Sequence, residues 1–297
     1  MTKRSETNDD GSRKTGRMPN VPINCNPEKR SESTPEPESG SDSGQSRRGF
    51  LAASAAVGFG AAGLASPVGA DGHDGEERHT VDSEAKDGAR IVHLSPDAPV
   101  VDVSVGGELW FEDVEPFATG TVYLEYVPET YTVQFTPAGE GPESAVLESD
   151  VTFEEGRYTV AAVGEACAVS DEPLRLVTLE DDTTPTSPGH ARVRGVHASV
   201  DAPPVDFTVG DGEGVIFEDL GFGEEGYGEV SADEAVIEIR EHGTGEVVER
   251  FEINFEAGTV YTVFAVGYLD PENAPEIAVE NASLRLAITE DASPGER

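Results

Sequence analysis

Eighteen consecutive residues of this chain occur twice. The stretch from Ala89 to Gly106 reads Ala-Arg-Ile-Val-His-Leu-Ser-Pro-Asp-Ala-Pro-Val-Val-Asp-Val-Ser-Val-Gly, and the stretch from Val193 to Gly210, 104 positions on, is identical at 11 of those 18 positions. An echo about a hundred residues apart confines the fold to two copies of one domain-sized unit. Shorter echoes keep the order. Phe111-Glu112-Asp113-Val114 returns as Phe217-Glu218-Asp219-Leu220, Tyr158-Thr159-Val160 as Tyr261-Thr262-Val263, and Leu174-Arg175-Leu176 as Leu284-Arg285-Leu286.

Within each copy the apolar residues recur every second position. Val101, Val103 and Val105 alternate with Asp102 and Ser104, and Tyr131, Val133 and Phe135 with Thr132 and Gln134. Period two with polar partners marks strands that have one wet face. Gly106-Gly107 supplies a tight hairpin turn, and Pro137 to Pro142 a longer one. Some seven short strands per repeat and no helical period predict an all-β chain of two antiparallel β-sandwiches, Ig-like or transthyretin-like.

The expected organisation is a disordered region over 1–45, an export signal over 46–70 and a polar tether over 71–88. The first sandwich then spans 89–181, a Thr/Pro linker 182–190 and the second sandwich 191–291. The linker's two prolines, Pro185 and Pro188, predict a semi-rigid spacer with the sandwiches as separate beads.

From Asp71 onward the chain carries 51 acidic residues against 11 basic ones, with Lys86 the one lysine. Such a charge repels itself in dilute buffer and is tolerated when about 1 M salt shortens the screening length to roughly 3 Å. The pattern fits a halophile's protein, and it argues against nucleic acid as a partner because no basic patch exists to neutralise phosphates.

Ser46-Arg47-Arg48-Gly49-Phe50-Leu51, a weakly apolar run and Val68-Gly69-Ala70 resemble a twin-arginine export signal with cleavage after Ala70. The segment is too short and too glycine-rich for a membrane span, so membrane contact is expected only during export. Cys25 precedes the signal, which leaves Cys167 as the one cysteine of the exported part. Asn281-Ala282-Ser283 is a glycosylation sequon in a chain expected to reach the exterior.

The segment His93-Leu94-Ser95-Pro96-Asp97-Ala98-Pro99 with Val101-Asp102-Val103, Tyr131-Thr132-Val133 and Tyr158 to Gly164 resembles the domain-of-unknown-function family 4397, over both repeats. The resemblance implies an exported or surface protein of bacteria or archaea with tandem β-sandwiches and no established activity; with the acidic charge and the twin-arginine signal, the expectation is an exported protein of haloarchaeal type. It supplies no catalytic residues. Val200 stands where the first copy has Pro96.

One constellation has the residue types for chemistry. His93, Asp97 and Asp102, repeated as His197, Asp201 and Asp206, offer an imidazole and two carboxylates per copy, a set able to hold a divalent cation. Turn chemistry explains the same residues without a ligand, with Asp97 bonding its own turn and His93 pinning the strand end. No nucleophile elbow, zinc-protease helix or phosphate loop is present in the sequence, and no cofactor is implied. The sequence thus predicts a non-enzymatic exported or cell-surface protein, a tandem spacer, adhesion or envelope-associated module that meets an envelope protein or polysaccharide. The alternative is a small-ligand or cation-binding module built on the repeated His/Asp motif.

Overall fold

The structure is a computed structural model that describes residues 87–118, 122–167, 171–276, 278–280 and 282–293. The expected disordered region, the signal at Arg47, Arg48 and Ala70, nearly all of the tether, and Asn281 lie outside the described residues.

The first repeat forms β1 (Gly88–His93), β2 (Val101–Val105), β3 (Glu108–Val114), β4 (Thr130–Pro137), β5 (Leu147–Thr152), β6 (Arg157–Val163) and β7 (Arg175–Glu180). The second forms β8 (His190–Ser199), β9 (Val205–Val209), β10 (Gly214–Leu220), β11 (Glu225–Ser231), β12 (Asp233–Glu241), β13 (Val247–Phe255), β14 (Val260–Gly267) and β15 (Arg285–Ala292). Each repeat is a two-sheet sandwich. Sheet β3-β2-β4-β5 faces sheet β1-β6-β7, and sheet β10-β9-β12-β13 faces sheet β11-β8-β14-β15.

The alternation places the cores. Val101, Val103 and Val105 of β2 are buried against Phe111, Val133, Phe135 and Val160, while Asp102 and Ser104 lie on the opposite face. Trp110 belongs to this core at 3 % exposure, the packing role that is the default for an aromatic side chain. Gly106 and Gly107 have φ of +62° and +86°, the left-handed pair that a two-residue hairpin requires.

Most pairings are antiparallel, but the first strand of each repeat pairs parallel with its sixth-strand counterpart. Ile91 lies opposite Val160 and Val196 opposite Phe264. A parallel pair requires a crossover connection, and the whole β2–β5 sheet serves as that connection. In the second repeat β11 pairs with β8 from Val196 to His190, whereas in the first repeat the described residues of the matching stretch make the bridge of Ala89 to Leu124 and backbone hydrogen bonds of His93 with Phe117 and Ala118.

Strands β1, β6 and β14 are buried on both faces. Ala89, Ile91, Val160 and Ala162 face the first sandwich core. Val92, Leu94, Ala161, Val163 and Leu179 face outward and pack with Val196, Ala198, Phe264 and Val266 of the second repeat in one cluster. The separate-beads expectation is therefore corrected: the two sandwiches join through their inner sheets into a four-layer stack. The nine-residue linker keeps the two faces close together, so docking in cis costs less than association of free domains would. The linker itself lies against the second repeat: Arg192 pairs with Asp182, and Ser187 N–H donates to Glu229 at 3.2 Å.

Candidate functional site: the repeated motif and the seam

Each motif residue is tied to a different part of its own sandwich. At the end of β1, His93 Nε2 lies 3.1 Å from the carbonyl of Pro99, and His197 repeats the contact to Pro203 at 3.1 Å. Nε2 therefore carries the proton and donates. His93 Nδ1 has no hydrogen-bond partner among the described residues, while His197 Nδ1 accepts from Ser199 N–H at 3.3 Å. Burial pushes the His93 pKa down to about 4 against the pull of the Pro99 carbonyl, and burial lowers His197 in the same direction.

Asp97 does not bond its own turn backbone as expected. Its carboxylate reaches the loop after β6, where it accepts from Ala166 N–H at 2.7 Å and Cys167 N–H at 2.9 Å, as well as from Ser95 Oγ at 3.1 Å. Asp201 does the same with Leu269 N–H at 2.5 Å, Asp270 N–H at 3.0 Å and Asn273 Nδ2 at 2.9 Å. Burial raises the Asp97 pKa, opposed by the two backbone donors.

Asp102 and Asp206 hold a bulge. Each accepts the N–H of an aspartate on the neighbouring edge strand, Asp113 at 3.0 Å and Asp219 at 2.8 Å. Those two residues have φ of +54° and +59°, a conformation side chains other than glycine rarely adopt, at the register shifts of the β2–β3 and β9–β10 pairs. Asp102 also accepts from Gly139 N–H at 2.9 Å, and Asp206 pairs with His242 at 2.7 Å. Among the described residues no group of three or more His, Cys, Asp or Glu side chains converges in a way that would hold a metal ion. The expected ligand set is thus spread over the first strand, the loop after it and the second strand of each repeat, with each member engaged by backbone groups of its own sandwich.

The seam between repeats holds the charges that sequence reasoning missed. Arg90 and Arg194 occupy matching positions of β1 and β8, and both are fully buried. Arg90 pairs with Asp291 of the other repeat, and Arg194 with Asp181. Arg90 Nε donates to Thr159 Oγ1 at 2.8 Å, and that hydroxyl donates to Asp181 at 2.9 Å. Arg194 Nε donates to Thr262 Oγ1 at 2.8 Å, and that hydroxyl donates to Asp291 at 2.6 Å. The six side chains close a ring with two positive and two negative charges, related by a pseudo-twofold axis. Burial opposes the charge on Arg90, but facing Tyr123 and the Asp291 and Asp181 carboxylates more than offset it and raise its pKa.

Around the ring, Arg175 stacks over Phe222 at 4.6 Å and Arg285 over Phe117 at 4.9 Å, each crossing the seam. Arg157 donates to the carbonyl of Asp291 at 3.2 Å. Five of the eight arginines among the described residues therefore serve the seam. The available signal was Arg90 and its copy Arg194, a repeated base inside an apolar strand of a very acidic chain.

The family model described as a domain of unknown function, DUF4397, matches residues 88–208 and again 196–291. The chain belongs to this family. The second DUF4397 match begins at Val196 on β8, inside the repeated motif. No curated protein matches the DUF4397 chain. Among solved structures it is similar to the C-terminal domain of AlgF from P. aeruginosa, at 14% identity and a TM-score of 0.24 over 35% of this chain and 99% of that one. It is also similar to a family 26 carbohydrate-binding module of Eubacterium rectale Amy13K in complex with maltoheptaose, at 11% identity and a TM-score of 0.20 over 64% of this chain and 99% of that one. The fimbrial anchor protein Mfa2 from Porphyromonas gingivalis follows at 11% identity and a TM-score of 0.19 over 69% of this chain and 97% of that one. Likeness at this level says nothing about what the DUF4397 chain binds.

Proposed function

We propose that the chain is a non-enzymatic module exported by the twin-arginine route to the cell surface or exterior of a halophile, where the fused sandwiches act as a rigid spacer, adhesion or envelope-associated element. The observation that carries this reading is the seam: a buried ring of ions and nine buried apolar side chains hold the two sandwiches in one orientation, as a spacer requires and a hinged binder does not. The motif residues support it, since Asp97, Asp102 and their copies satisfy backbone N–H groups of their own sandwich. The acidic surface and the paired arginines Arg47 and Arg48 support the location.

Fractionation of producing cells tests the location. The protein is expected in the envelope or medium with Asp71 as its first residue, and replacing Arg47 and Arg48 by Lys should leave it inside; export of that variant would contradict the route. Thermal unfolding in molar salt against divalent cations, chelator and envelope sugars tests the role. A flat panel is expected, whereas a saturable rise that disappears when His93 and Asp102 are both replaced would show a binding module instead.

A further inference from the structure

On a twofold axis a residue meets its own copy. The seam has such a position. Glu165 and Tyr268 are equivalent: each follows a glycine of positive φ, Gly164 and Gly267, and each accepts from a matching leucine N–H, Leu174 at 2.9 Å and Leu284 at 2.7 Å. Across the seam these two residues meet each other, with Tyr268 Oη donating to Glu165 Oε1 at 2.5 Å, and both are about 1 % exposed.

The ion ring cannot tell one repeat from the other, because Arg90 and Arg194, Thr159 and Thr262, and Asp181 and Asp291 are the same residues in both. The positions that differ do discriminate. Glu165 facing a second Glu165 would bury two carboxylates together. Within the apolar cluster, Leu94 and Leu179 of the first repeat stand opposite in size to Ala198 and Thr289 at the matching places, and Ala161 to Phe264. Two first repeats would bring two Leu94 and two Ala161 to the seam and two second repeats two Phe264 and two Ala198, so neither pairing keeps the side-chain volumes that fill the mixed cluster.

We infer that the chain is a fused dimer whose seam has become heterotypic: the inner-sheet face of the first repeat is an interaction surface for the inner-sheet face of the second and rejects a copy of itself, with Glu165 and Tyr268 as the discriminating pair. This holds whatever the module attaches to.

The test starts from the intact, folded chain with a protease site inserted after Thr186. Cut in molar salt, the two halves should still elute together in size exclusion with light scattering, one of each per particle. Separate elution, or particles of a single kind of half, overturns the inference. Tyr268→Glu, which sets a carboxylate against Glu165, should release the halves on cutting, and adding Glu165→Tyr should restore co-elution. Halves that stay together in the single variant, or stay apart in the double, overturn the assignment of the pair; Tyr268→Phe, which removes the hydrogen bond without adding a charge, should release fewer halves than Tyr268→Glu, and equal release would also overturn it.

Discussion

His93 sits where an imidazole cannot hold a second proton. Its folded pKa of about 4 lies below the ordinary 6.5, so between these values the unfolded chain binds a proton that the folded chain refuses. The associated stability is fully present above about pH 6.5 and drains as pH falls to about 4, by up to about 3 kcal/mol. Asp97 works in the opposite direction, because burial raises its pKa. Denaturation midpoints in molar salt at pH 7 and pH 4.5 should therefore fall less for His93→Gln than for the parent, and equal falls would contradict the burial account. At Asp102, replacement by Ala removes the acceptor of the Asp113 N–H in a strained, exposed bulge and should lower stability by about 0.5–1.5 kcal/mol in denaturant titration, with no loss expected if the bulge is held by other contacts. A hydrogen bond of His93 at the strand end was legible in the sequence. The reach of Asp97 was not, because it bonds residues 69 and 70 positions away instead of its own turn, and no local pattern encodes that distance.

Strand β1 shows where one-face reasoning stops. Alternation puts Val92 and Leu94 on one face and Ala89 and Ile91 on the other, yet both faces are dry, one against the other repeat and one against its own sandwich. Strand β6 carried the readable hint, since Val160-Ala161-Ala162-Val163 is a continuous apolar run of the kind found in strands covered on both sides. On β1, Arg90 is fully buried beside Asp291. Breaking a buried pair from one side leaves an uncompensated charge, so Asp291→Ala should cost about 3–5 kcal/mol by chemical denaturation. Replacing Arg90, Arg194, Asp181 and Asp291 together by Met and Leu should recover most of that loss. A loss below about 1 kcal/mol in the single variant would contradict a buried ring.

At the scale of the whole molecule, two charge systems oppose each other. The surface carries most of a net charge of −39, which salt screens, while the seam's ion pairs are buried, where salt screens them little. Removing salt should therefore raise repulsion without strengthening the seam, and the β circular dichroism should be lost on dialysis to dilute buffer; an unchanged spectrum would refute dependence on salt. Two tandem sandwiches were legible from the repeat alone. Their union was not, because a nine-residue linker with two prolines fits separated domains equally well, and only the packing of Val92, Ala161 and Phe264 on one another decides between them. Differential scanning calorimetry in molar salt measures that union most directly. One body unfolds in a single transition whose calorimetric and van't Hoff enthalpies agree for the two repeats together. Two independent transitions, each with the enthalpy of one sandwich, would contradict it.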